Sequence, residues 1–154
     1  MKTLSEIKQD IEIKFPGTQV VSEGLSLVIA KERWISIASF LKDDPNYSFD
    51  FLSSVTGVDY KDYLEVVYHL YSIAKKEGPL TIKIRTDVEK SAVPSVTPIW
   101  RSAEFQEREA YDLVGIRFEG HPDLRRILMW EGFEHHPLRK NYVSEDQDRP
   151  PEEF

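Results

Sequence analysis

His121, His135 and His136 lie close in sequence to Glu131 and Glu134. Imidazoles beside carboxylates are the side chains from which transition-metal sites are built. A small metal-dependent enzyme using the three histidines is therefore one reading of this region. Zinc ligands, however, sit at productive spacing on ordered elements, and neither His-Glu-x-x-His nor His-x-His occurs here. Adjacent histidines on irregular backbone point apart, so hydrogen bonding in turns and at the surface is the plainer reading. His69, inside VVYHLY, reads as a packed sheet residue.

Other chemistry finds less support. Glu107 and Asp112 are five residues apart, which does not align them on one helix face for acid–base work. Glu104 and Arg108 have the i,i+4 spacing of an ion pair, and Arg108 can also reach Asp112. No serine lies in a Gly-x-Ser-x-Gly elbow or a Ser-x-x-Lys motif. The chain has no cysteine, which removes thiolate-held iron–sulfur clusters, cysteine zinc sites and thiol nucleophiles. Neither glycine-rich phosphate loop is present. A net charge of -7 without a basic stripe argues against DNA or RNA, since phosphate binding needs a cationic surface.

Recognition remains. Glu107, Arg108, Glu109, Asp112, His121, Arg125, Arg126, Arg139 and Lys140 are interleaved with Trp100, Phe105, Tyr111 and Phe118. Arginine and aromatic residues are the usual anchors of protein interfaces, and arginine pairs with carboxylates in a demanding two-point geometry. These residues are expected to form an interaction surface rather than an active site.

The run EREAYDLVGIRFEGHPDLRRIL, residues 107–128, resembles the signature of the 30-kilodalton subunit of respiratory complex I. The matching positions are Glu107, Arg108, Glu109, Asp112, Gly115, Ile116, Phe118, His121, Pro122, Leu124, Arg126, Ile127 and Leu128. FDFLSSVTGVDY, YHLYS, VPSVTPIW and HPLRKNY extend the resemblance over nearly the whole chain. Asn141 and Val143 depart from the family's usual Asp and second Pro. The short length resembles the compact forms of archaeal, chloroplast-type and hydrogenase-related complexes. The branch stays open, and with it the donor: NADH, a ferredoxin or reduced F420.

The resemblance implies a structural and assembly subunit with no cofactor, neither cluster nor flavin, and no active site of its own. It would sit in the peripheral arm of a proton-translocating quinone oxidoreductase, on the cytoplasmic side of the membrane. Its partners would be the hydrophilic-arm protein that forms the quinone site and the cluster-bearing subunits. Contact with the membrane would be indirect, through the complex. The alternative it leaves is the equivalent subunit of a membrane-bound energy-converting hydrogenase.

The elements that must position these residues follow from patterning. Thr3 and Glu6 have capping-box spacing ahead of Leu4, Ile7, Ile11 and Phe15, so the chain opens with a helix that Pro16-Gly17 ends. TQVVS and LSLVIA flank Glu23-Gly24 and predict a hairpin. KERWISIASFLKDD returns to helical spacing. Three β-rich runs follow, DFLSSVTGVDY, YLEVVYHLYSI and LTIKIRTDV, the second expected to be covered on both faces. Thr97 as N-cap and Pro98 at the first turn predict a helix from there to Gly115, then a short strand IRF and the turn EGHPD.

The fold class is α+β, a single domain with helices packed on a mainly antiparallel sheet, spanning 1–142. Residues 143–154, acidic and proline-containing, are expected to be a disordered tail when the chain is alone. The N-terminal stretch is broken by charge every few residues, unlike a signal peptide, and LSLVIA is far below the roughly 20 residues that span a bilayer.

Overall fold

The computed structural model describes residues 2–144; the expected tail lies almost wholly outside them. In chain order the elements are α1 (Leu4–Lys14), β1 (Val20–Glu23), β2 (Ser26–Ile29), α2 (Trp34–Asp43), β3 (Phe51–Asp59), β4 (Leu64–Ser72), β5 (Glu77–Thr86), β6 (Ala92–Pro94), α3 (Ala103–Val114) and β7 (Arg117–Glu119). Local sequence explains the first of these. Thr3 Oγ accepts from the Glu6 amide while the Glu6 carboxylate accepts from the Thr3 amide at 2.7 Å, so two donors at the helix end are satisfied reciprocally.

The main sheet runs β1-β2-β5-β4-β3. β3, β4 and β5 form an antiparallel meander, and β1 and β2 form the expected hairpin. The hairpin joins the meander through a parallel pairing, Ser26 opposite Thr81 and Ile29 opposite Ile84. A second, two-stranded sheet pairs β6 with β7 in parallel. The short strand β6, absent from the sequence expectation, thus ties the start of the α3 region to its end.

One face of the main sheet meets the helices. Leu64, Val66, Tyr68, Leu70, Ile82 and Ile84 are buried there with Ile7 and Ile11 of α1 and Trp34, Ile37 and Leu41 of α2. The Trp34 and Tyr68 rings lie 4.9 Å apart near its centre. The other face is not covered as β4 had been expected to be: Val67, His69 and Tyr71 are half-buried. That face carries charge instead. Arg85 reaches Glu65 at 2.9 Å and Glu23 at 2.7 Å, with Lys83 3.5 Å from both carboxylates. All the helical cover goes to one side, so the alternation apolar-in, polar-out of β5 was the better guide than the apolar run of β4.

α3 starts at Ala103, five residues later than Thr97 as N-cap and Pro98 as first helical residue would place it. The Thr97 hydroxyl bonds Ser95 Oγ at 2.8 Å and is not available as a cap. The Val96 carbonyl accepts from both Ile99 and Trp100, folding 96–100 into a tight turn that puts the Trp100 indole N–H on the Phe49 carbonyl. Among the described residues no helix is long and apolar enough to cross a membrane.

Candidate functional site

α3 packs its Ala110 and Val114 face on β3 at Gly57. A Cβ there would stand 3.3 Å from the Ile116 and Val114 side chains, so the absence of one lets the helix approach. Above the Gly57 contact, Ser102 Oγ donates to the Leu52 carbonyl and Gln106 accepts from the Val55 amide. The helix is thereby fixed along an otherwise free strand edge, and its remaining side chains have fixed directions.

Three of its charged residues point inward. Glu107 is fully buried and accepts from Ser95 Oγ at 2.6 Å and from the Val96 amide at 2.8 Å. Burial pushes its carboxyl up to about 7 against the pull of those two donors. Arg108, also buried, donates to the carbonyls of Arg125 and Arg126. Asp112 is fully buried too. Its Oδ2 accepts from three consecutive amides, Ile127, Leu128 and Met129, at 3.0, 2.7 and 2.9 Å, and its Oδ1 faces the Arg126 guanidinium at 2.6 Å. Burial alone would raise its pKa, but those donors together hold the carboxyl below the ordinary carboxylate value.

The end of α3 is a second anchor. Gly115 takes the left-handed conformation, φ 78°, and its amide closes on the Tyr111 carbonyl. The carbonyls that a helix leaves free are each taken by the segment after residue 125. Asp112 O accepts from Arg126 and from His136 Nδ1, Leu113 O from the Leu138 amide at 2.9 Å, and Val114 O from Arg139 Nε. Two guanidinium groups and an imidazole therefore meet the negative end of the helix, where positive charge is favoured. The Lys140 amide then bonds Asp59 Oδ2 at 2.9 Å, fastening the segment to the end of β3. Burial raises the Asp59 carboxyl, yet the Lys140 and Lys61 amides bring it below its ordinary value.

The result is an irregular segment, residues 124–142, held at both ends of its path. It displays apolar side chains to solvent: Ile127, Leu128, Trp130 at 67% exposure, and Leu138, with Phe105 of α3 alongside. Behind them Phe133 lies 4.7 Å from Trp130 and 6.2 Å from Tyr142, with the Arg126 guanidinium 5.5 Å over its ring. A concavity of about 740 Å³ is lined by Trp130, Phe133, His135, Arg139 and Tyr142, among others.

The nine residues singled out from sequence divide accordingly. Glu107, Arg108, Asp112, Arg126 and Arg139 are gathered around α3 and make contacts within the chain. Glu109 faces solvent, Arg125 pairs with the exposed Asp123, and the exposed Lys140 side chain lies 5.8 Å from the Tyr60 ring. His121 Nε2 meets the Glu104 carbonyl at 2.8 Å, and its Nδ1 accepts from the Asp123 amide. The histidines do not converge: His136 caps α3 while His135 packs against Phe133 and Tyr142. Among the described residues no three potential ligands are placed to hold a metal ion, so the geometry does not assemble the metal-enzyme alternative. Leu128, Trp130 and Leu138 had no place in the interaction surface expected from sequence, although MWEGF carries a tryptophan outside any apolar periodicity.

Comparison with known proteins finds relatives over most of the chain. The family described as "Respiratory-chain NADH dehydrogenase, 30 Kd subunit" matches residues 27–148. An NADH-quinone oxidoreductase subunit of Rhizobium meliloti is 49% identical over 120 residues, covering 76% of this chain and 65% of that protein. The corresponding NADH-quinone oxidoreductase subunit of Caulobacter vibrioides is 43% identical over 147 residues, covering 92% of this chain and 74% of that one. The chain thus spans less than two thirds of the Rhizobium relative's length. The solved trypsin-resistant fragment of Nqo5 (1-134) superposes with a TM-score of 0.59 at 35% identity, over 80% of this chain and all of that one. A chain of the membrane-bound sulfane sulfur reductase, an archaeal respiratory membrane complex, shares the fold at a TM-score of 0.68, with 22% identity and 99% of each chain covered. With most of its length matched, this chain belongs to the 30-kilodalton subunit family of respiratory-chain NADH dehydrogenase.

Proposed function

We propose that the chain is a cofactor-free structural and assembly subunit in the peripheral arm of a proton-translocating NADH (or related donor):quinone oxidoreductase. Its role is to dock on the quinone-site subunit and on cluster-bearing neighbours, on the cytoplasmic side of the membrane. The observation that carries this reading is the segment 124–142. An irregular stretch with exposed Leu128, Trp130 and Leu138 is held in place by the hydrogen bonds of Asp112, Arg126 and Arg139. Interfaces gain from pre-ordered aromatic anchors, because little conformational freedom is lost on binding. The buried charges do not touch the partner; they set the shape that does. The absence of cysteine and of phosphate-binding loops supports a role without a resident cluster, flavin or nucleotide.

Affinity purification of the tagged chain from its native host, followed by mass spectrometry, tests the reading. Recovery with a quinone-site subunit and cluster-bearing proteins is expected, and recovery without either would overturn it. The same purification separates the donors: a nickel–iron subunit in place of NADH-oxidising ones would move the chain to the hydrogenase branch.

A further inference from the structure

Glu107 is a fully buried carboxyl with no ion-pair partner among the described residues. Such a group is usually matched by a cation or left neutral. The groups around it carry no compensating charge. The titratable neighbour is the Tyr68 hydroxyl of β4, itself fully buried and pushed well above the ordinary tyrosine range, by burial and then by the charge on Glu107. Beside it α2 contributes the uncharged Trp34 indole. The turn after β6 contributes hydroxyls and an amide. Arg108, the next residue on α3, is turned away onto the Arg125 and Arg126 carbonyls.

A path leads outward from this carboxyl. Glu107 Oε2 lies 2.6 Å from Ser95 Oγ, and Ser95 Oγ lies 2.8 Å from Thr97 Oγ1, where either oxygen can be the donor. Ser95 is buried while Thr97 is half-exposed. We propose that Glu107, Ser95 and Thr97 form a proton-exchange site, in which a buried carboxyl takes up and releases one proton through two hydroxyls that reach the surface.

Both states satisfy the valences. In the neutral state Glu107 Oε2–H donates to Ser95 Oγ, whose own hydrogen points to Thr97 Oγ1. In the ionised state each hydroxyl turns round: Thr97 donates to Ser95 and Ser95 donates to the carboxylate. The Thr97 amide donates to Ser95 Oγ at 3.2 Å and the Val96 amide to Glu107 Oε1 in either state. A hydroxyl has one donor and two acceptor sites, which is what the middle position requires in both directions. The proton leaves to solvent as the chain reverses, and no bond other than O–H is broken. The midpoint of about 7 places the exchange near neutrality.

The test follows the side-chain carboxyl carbon of Glu107 by NMR in the full chain with labelled glutamate, between about pH 4 and 9. A titration centred near neutrality is expected. A midpoint in the ordinary glutamate range, or no titration over that interval, would overturn the proposal. Glu107→Gln assigns the resonance by its loss. Ser95→Ala removes a donor that favours the carboxylate and should move the midpoint upward. An unmoved midpoint in Ser95→Ala would overturn the hydroxyl path, and this second variant carries the test if Glu107→Gln does not fold.

Discussion

Asp112 and Arg126 meet at 2.6 Å beside the last turn of α3, and the same carboxylate holds the three amides that follow the arginine. One side chain therefore fixes four successive residues of a segment that has no secondary structure of its own.

Replacing Asp112 by alanine removes all of these acceptors at once, leaving three amides without a partner and the Arg126 guanidinium with carbonyls alone. Removing one member of a buried pair costs about 3–5 kcal/mol, and Asp112→Ala should lower unfolding stability in urea by that order. Hydrogen exchange at the Ile127, Leu128 and Met129 amides should rise more than elsewhere. Equal protection in the variant would show that something else orders the segment.

Gly115 is a sharper probe of the helix end. Its φ of +78° disfavours any side chain, and a Cβ would fall 2.5 Å from the His136 ring. Gly120 has φ +83° with nothing within 4 Å. Gly120→Ala should cost only the backbone conformation, about 1 kcal/mol. Gly115→Ala must also displace His136 from the Asp112 carbonyl and should cost roughly 2–3 kcal/mol. Denaturation midpoints of the two variants provide the comparison, and equal losses would remove His136 from the account.

Stability should depend on pH in opposite senses at the two buried carboxyls. Glu107 titrates at about 7 when folded against an ordinary 4.5. Its contribution is whole below about pH 4.5, is lost as pH climbs toward 7 and is level beyond, a change on the order of 3 kcal/mol. Asp112 is depressed below its ordinary 3.8, so its contribution is present at neutral pH and is lost as acid takes the pH below that value. Thermal unfolding of wild type against Glu107→Gln isolates the first effect: the decline between pH 4.5 and 7 should be confined to the wild type.

The exposed aromatic is expected to matter for assembly and not for folding. Trp130→Ala should leave the unfolding free energy within about 0.5 kcal/mol, as for other surface changes. It should weaken binding to the quinone-site subunit by about 2 kcal/mol, close to thirtyfold, if it is an anchor. Titration calorimetry with the purified partner measures this. An unchanged affinity would take the segment 124–142 out of the interface.

Where a residue's partner is near in sequence, the chain could be read directly. Thr3 and Glu6 announce α1, Glu23-Gly24 the first hairpin and Gly115 the end of α3. Where the partner is remote, reading stopped. Nothing around Val93 marks it as a strand, because β6 exists only opposite Phe118. Thr97 has the composition of a helix cap, but Ser95 claims its hydroxyl. Charge was the most misleading cue at the site. Glu107, Arg108 and Asp112 read as a surface cluster, yet their partners are backbone groups, a hydroxyl and a guanidinium at 95–96 and 125–129 that only the folded chain brings near. Adjacent charges on a helix carry no mark of which face will be covered.

The parallel join of β2 to β5 bears on the order of assembly. Each hairpin closes a short loop, whereas pairing Ser26 with Thr81 must gather everything between them. Loop closure costs more entropy as the loop lengthens, and non-local pairings slow folding. The β3–β5 meander can therefore nucleate alone, with the N-terminal hairpin added as its fourth and fifth strands. Pulse-labelled hydrogen exchange during refolding should find the β4 amides protected before those of β2. Nascent chains leaving the ribosome, N-terminus first, would then hold an unpaired β1–β2 edge until residue 86 has emerged.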